Sequence, residues 1–200
     1  MHLKDPNKLS DEDLVKIYIS SQDNRYFEEL YERYSEKVYR KCYSFVSDGP
    51  KAEDLAHDIF LKVITKLGTF KENSRFSTWL YSITYNYCMD SIRRSKRLKE
   101  EGMYEGFDFV EEEVDYEFQR MQSEGLRKSL EEIAPEEKAM LLMKYQDNFS
   151  VKEIAETFNI SESATKMRLL RTKEKMKKLY LRHVALVGLI ILKIFMLLKR

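Results

Sequence analysis

Between residues 55 and 67 the apolar side chains Leu55, Ala56, Ile59, Phe60, Val63, Ile64 and Leu67 recur at i, i+1, i+4, i+5, i+8, i+9 and i+12. That spacing lays them along one broad stripe of an α-helix; a strand would scatter them over both faces, because its side chains alternate with a period of two. Neighbouring segments follow the same pattern. Ser10 and Asp13 make a capping-box-like start ahead of Leu14, Ile17 and Tyr18, and a second helix runs from about Asn24 through Phe27, Leu30, Tyr31, Tyr34, Val38 and Tyr39 toward Phe45. Gly49-Pro50 predicts a break and residues 68–74 a polar loop. A further helix starts near Phe76, with Leu80, Ile83 and Tyr87 on one side and Tyr81, Tyr85, Asn86 and Arg93 on the other. Only 6 Gly and 3 Pro in 200 residues leave little material for β-turns or phosphate-cradling loops, so the expected fold class is all-α with long helices.

Net charge hides the organisation. The 35 Lys+Arg and 34 Asp+Glu leave +1, which taken whole argues against a nucleic-acid binder. Along the chain the charges separate into blocks. Arg93, Arg94, Lys96, Arg97 and Lys99 contain no acid among them, residues 100–124 hold ten acids against Arg120, and residues 166–182 hold eight cations against Glu174. The acidic stretch carries Gly102 and Gly106 and lacks an apolar period, which predicts a linker over 100–125 between helical domains at 10–99 and 126–180, with a tail at 181–200.

The second domain predicts a helix-turn-helix. Two helices, over about 126–133 and 137–145, are separated by Pro135, which suits a helix start. Ser150 and Glu153 form a capping box that opens a short helix with Val151, Ile154, Ala155 and Phe158 on one face. After Asn159-Ile160-Ser161 a longer helix turns Thr165, Leu169, Thr172, Met176 and Leu179 inward, leaving Ser163, Lys166, Met167, Arg168, Leu170 and Arg171 outward. Polar and basic groups at the start of such a helix suit base edges and phosphates of duplex DNA.

Phe76, Trp79, Tyr81, Tyr85 and Tyr87 crowd ahead of the first basic run, a composition that suits unpaired bases stacking on aromatic faces while cations hold the backbone. The competing reading places several of these rings in a core. Asp54, His57 and Asp58 share a helical face but complete neither a metal site nor an acid–base pair; the readings left are a solvated face and a docking face for a basic partner. No nucleophile set and no Walker-type loop occurs, so neither an enzyme, a catalytic residue, a metal nor a cofactor is expected. Cys42 and Cys88 lie far apart in sequence and belong to no CxxC pair; with no apolar run behind the N-terminal charges, a reduced cytoplasmic protein is expected.

Taken together, Ala52-Glu53-Asp54-Leu55-Ala56-His57-Asp58-Ile59-Phe60-Leu61, the run Phe76 to Ile83 with Asn86, Asp90 and Arg93-Arg94, Ser150 to Ala155, and Lys166 to Arg171 resemble the extracytoplasmic-function sigma factors of the sigma-70 family, over about residues 10–180. The resemblance implies region 2 and region 4 domains. It further implies that Asp54, Asp58 and Leu61, supported by Phe60, dock on the β′ clamp helices of core RNA polymerase, with the β flap as a second contact. The loop at 68–77 and the helix bearing Phe76, Trp79, Tyr85, Asn86, Arg93, Arg94 and Arg97 would melt and hold the −10 promoter DNA, and Ser163, Lys166, Arg168 and Arg171 would read the −35 duplex. An anti-sigma factor, membrane-embedded in some cases, is an implied partner. His57 stands where the family usually has Gln, and Ser163-Ala164-Thr165 stands where Gly-Thr-Val is common.

The tail departs most from the family. Between Val184 and Leu198 only Gly188 and Lys193 interrupt an apolar run, about 22 Å long as a helix against a hydrocarbon core of about 30 Å. Docking on a protein surface, membrane contact and a disordered extension all remain open for it. Two rival functions also stand: a stand-alone helix-turn-helix repressor and a module that sequesters a partner.

Overall fold

In the computed structural model the described residues are 5–100 and 117–198, with side chains described for 5–97 and 124–185. Eight α-helices lie among them: α1 (Asp11–Ser21), α2 (Asn24–Val46), α3 (Gly49–Lys66), α4 (Phe76–Glu100), α5 (Glu117–Glu131), α6 (Pro135–Leu141), α7 (Val151–Phe158) and α8 (Glu162–Leu198). Short polar side chains set the starts of α1, α2, α3 and α7. Ser10 Oγ accepts the Asp13 N–H at 3.1 Å, and Asp48 accepts the Lys51 N–H at 3.0 Å. Gly49 and Pro50, expected to break the chain, form the first turn of α3, where a fixed proline φ and a missing N–H cost nothing. Gln22, Ser47 and Asn159 end α1, α2 and α7 in the left-handed conformation.

The chain divides into two compact units. In the first, α2 packs against α1, α3 and α4. Leu14, Leu30, Val38, Ile59, Val63 and Leu80 fill the space between the helices, and Lys41 is buried with its Nζ 4.2 Å from the Tyr81 ring centroid. Cys42 on α2 and Cys88 on α4, distant in sequence, meet in this core with sulfurs 3.8 Å apart. The α3–α4 loop is tied to α1: Lys16 pairs with Glu72 at 2.8 Å, and the first amide of α4, Phe76 N–H, donates to Glu12 Oε1 at 2.9 Å.

In the second unit α8 packs on α5, α6 and α7 around Met140, Met143, Phe149, Ile154 and Leu169. Between α6 and α7, residues Leu142–Gln146 form a turn of π-helix. Helix α5 begins at Glu117, nine residues before the expected start at Leu126, so the end of the expected linker is helical; residues 101–116 of that linker lie outside the described residues. Nor does α8 stop near residue 180. It continues as one helix of 37 residues, about 55 Å, through the backbone of the apolar tail. The tail's side chains from residue 186 lie outside the described residues, and the three readings of it with them. Among the described residues no helix is long and apolar enough to cross a membrane.

Candidate functional site

Three surfaces carry the residues singled out by sequence. On α3, Leu55, Ala56, Ile59, Phe60 and Val63 face inward, which forces Asp54, His57, Asp58 and Leu61 outward at i, i+3, i+4 and i+7. Leu61 is 63% exposed and apolar, the kind of side chain that gains most from a partner's cover. Phe60 does not share that surface. It is buried with its ring 4.7 Å from that of Tyr31, and so acts as packing behind the face. Ile64, expected in the core, is exposed at the stripe's edge beside Leu61 and widens the apolar part of the face.

Along α4 the sequence misassigned a face. Phe76 is 1% exposed and Tyr85 is fully buried, so neither ring is available to a DNA base. The inward set is Phe76, Leu80, Thr84, Tyr85, Cys88 and Met89, a stripe rotated from the one expected, because α4 is gripped by α2 and α3 together. Phe70, Phe76 and Trp79 form a cluster with ring centroids 5.5 to 5.9 Å apart, and within it Trp79 remains half-buried. Phe70, which sequence reasoning passed over, thereby fixes the loop against the helix. Asn86, Arg93, Arg94 and Arg97 are exposed on α4.

The helix-turn-helix forms as its residues dictate. Ser150 N–H donates to Glu153 Oε2 at 2.7 Å while Ser150 Oγ accepts the Glu153 N–H at 3.2 Å, the reciprocal box that starts α7. Asn159 takes φ 51°, and Ser161 Oγ accepts the Ala164 N–H to start α8. Thr165, Leu169, Thr172 and Met176 are buried, which turns Ser163, Lys166, Arg168 and Arg171 to solvent with Met167 and Leu170. The threonines are satisfied locally, Thr165 Oγ1 donating to the Ser161 carbonyl and Thr172 Oγ1 to that of Arg168.

Not every cation of the second basic block faces outward unpaired. Lys175 pairs with Glu137 at 2.7 Å, and Glu132 holds both Arg182 and His183. Sequence gave no sign of these pairs, since partners 38 to 51 residues apart leave no local period. The Arg182 guanidinium holds the Glu132 carboxyl below its ordinary value. Burial pushes Glu137 upward, but the Lys175 ammonium and the Ala134 N–H outweigh it and leave that carboxyl low as well.

Known proteins are similar to this chain in sequence and fold. Residues 30–98 match the family model for sigma-70 region 2 and residues 123–176 that for sigma-70 region 4, together more than half of the chain. The ECF RNA polymerase sigma factor SigW of Bacillus subtilis is 27% identical over 171 residues, spanning 80% of this chain and 91% of SigW. RNA polymerase sigma factor YlaC of the same organism is 28% identical over 158 residues, 76% of this chain and 90% of YlaC. Among solved structures, the sigma factor RpoE from Bartonella quintana, crystallised with the anti-sigma factor NepR, aligns with a TM-score of 0.60 at 19% identity, covering 76% of this chain and 95% of that one. CnrH, in complex with the cytosolic domain of CnrY, aligns at 0.58 and 20% identity, covering 84% and 96%. With region 2 falling on α2 to α4 and region 4 on the helix-turn-helix unit, the chain belongs to the sigma-70 family and is an RNA polymerase sigma factor of the extracytoplasmic-function type.

Proposed function

We propose that this sigma factor binds core RNA polymerase through Asp54, Asp58 and Leu61 on α3 and opens the −10 DNA with the loop at 68–77, Trp79, Asn86, Arg93, Arg94 and Arg97. In this reading Ser163, Lys166, Arg168 and Arg171 read the −35 duplex. Residues 10–99 and 126–180 are the working domains, 100–125 joins them, and 181–200 is a tail. The observation that carries the reading is the exposure of Asp54, Asp58, Leu61, Asn86, Arg93, Arg94, Arg97, Ser163, Lys166, Arg168 and Arg171, with Trp79 half-buried beside the loop and the core behind them closed. Carboxylates and an exposed leucine suit a basic-rimmed protein partner, and cations beside an aromatic cluster suit a polyanion. The protein performs no bond-making chemistry; its work is differential binding of closed and opened DNA, in the cytoplasm where polymerase and chromosome meet. RpoE and CnrH were each solved in complex with another protein, NepR and the cytosolic domain of CnrY. A regulatory protein of the anti-sigma class is proposed as a partner here too.

Run-off transcription with purified core polymerase tests the reading. Promoter-dependent initiation on adding the protein is expected, and Asp58→Arg should lower core binding while leaving −35 duplex binding intact. Tight duplex binding without initiation would instead favour a helix-turn-helix repressor.

A further inference from the structure

Tyr87, in the aromatic run on α4, reaches the candidate docking face: its Oη donates to Asp58 Oδ2 on α3 at 2.8 Å. The ring is held from both helices. Lys62 Nζ, one turn after Asp58 on α3, lies 4.9 Å from the ring centroid, and Arg94 Cζ on α4 lies 5.9 Å from it. Lys62, Tyr87, Asp90, Arg93 and Arg94 line a groove of about 390 Å³. The hydrogen bond to the Asp58 carboxylate also holds the Tyr87 phenol above its ordinary value.

We infer that Tyr87 is a positioning residue for polymerase docking: by donating to Asp58 Oδ2 it fixes the carboxylate in one rotamer and leaves Oδ1 aimed at the partner's cation. A solvent-facing aspartate without such a donor samples several rotamers and loses that freedom on docking. Here the loss is taken when the protein folds. The bond also ties the helix that meets polymerase to the helix that carries Arg93, Arg94 and Arg97. This inference rests on the assignment of Asp58 to the docking face.

Core-polymerase affinity of the full chain, measured for wild type, Tyr87→Phe, Asp58→Ala and the double variant, tests it. Tyr87→Phe keeps the ring and both cation contacts and removes only the hydroxyl. It should weaken core binding about two- to tenfold, with −35 duplex affinity unchanged and the thermal midpoint lowered by no more than a few degrees, as for one exposed hydrogen bond. In the Asp58→Ala background the same change should add nothing, because the two residues then act as one unit. Wild-type affinity in Tyr87→Phe, or a loss that simply adds to that of Asp58→Ala, would overturn the positioning role while leaving Asp58 as a docking residue. If Asp58→Ala itself binds core as tightly as wild type, the docking assignment falls and the positioning role with it. Should unfolding of Tyr87→Phe at the assay temperature account for the weaker binding, the hydroxyl would be a stability element and the inference would also fail.

Discussion

Lys175 Nζ on α8 lies 2.7 Å from Glu137 Oε2 on α6, and the same oxygen accepts the Ala134 backbone N–H at 3.0 Å. One carboxylate thus caps its own helix and takes up a cation that charge counting alone would assign to DNA. With Arg182 held by Glu132, the outward basic surface of α8 is concentrated toward its N-terminal half.

Lys175→Ala should therefore leave −35 duplex affinity within about twofold and reduce stability by no more than about 1 kcal/mol, the range for a partly exposed ion pair. Arg168→Ala should do the reverse. If Arg168 contacts phosphate, the slope of log affinity against log salt should fall by about 1, whatever the DNA sequence. Anisotropy titrations across a salt series measure both.

Acid should loosen the second unit. Glu137 and Glu132 both ionise below the ordinary value of 4.5 in the folded protein. Each stabilises the folded state fully above that value, and the contribution is lost as pH falls through the lowered folded pKa. Thermal melts from about pH 6 to about pH 3 should show the midpoint falling at the acid end, and Glu137→Gln should flatten part of that slope.

Phe76→Ala should unfold or severely weaken the first unit, costing about 3–5 kcal/mol as for other buried aromatic truncations. Asn86→Ala and Arg97→Ala lie on the surface and should shift stability by less than about 0.5 kcal/mol, while reducing promoter opening. Permanganate reactivity of the −10 thymines beside a thermal melt separates the two classes.

Gly125 sits inside α5, where a Cβ would meet the Tyr180 ring at 3.4 Å and Val184 Cγ2 at 3.7 Å, both ordinary contacts. Gly125→Ala should stabilise the protein by about 0.5–1 kcal/mol through helix propensity. A larger side chain such as leucine would collide with Tyr180 and destabilise it. Denaturant midpoints give the sign.

Cys42 and Cys88 should resist thiol reagents in the native protein and react in denaturant. Both are buried, and the hydrogen bond to Cys42 together with burial pushes the Cys88 thiol far above its ordinary value, so almost no thiolate forms. Rapid labelling of the native chain would contradict this packing.

Much of the local structure was legible in the sequence, though Gly49-Pro50 opens α3 where a break was expected and α5 starts before Leu126. The stripe on α3, the Ser150–Glu153 box, the Asn159 turn and the outward set Ser163, Lys166, Arg168 and Arg171 follow from caps spanning four residues or from the period of one helical face, and such rules are written in neighbouring residues. Tertiary structure decided what depends on which neighbours grip a helix. An aromatic-rich α4 offers several faces of similar hydrophobicity, and only packing on both α2 and α3 selected the one that buries Phe76 and Tyr85. Likewise Tyr87 with Asp58, Lys175 with Glu137 and Cys42 with Cys88 are partners 29, 38 and 46 residues apart. Polar pairs and sulfur contacts at such separations leave no periodic trace, because the distance between them is fixed by helix packing and not by the chain.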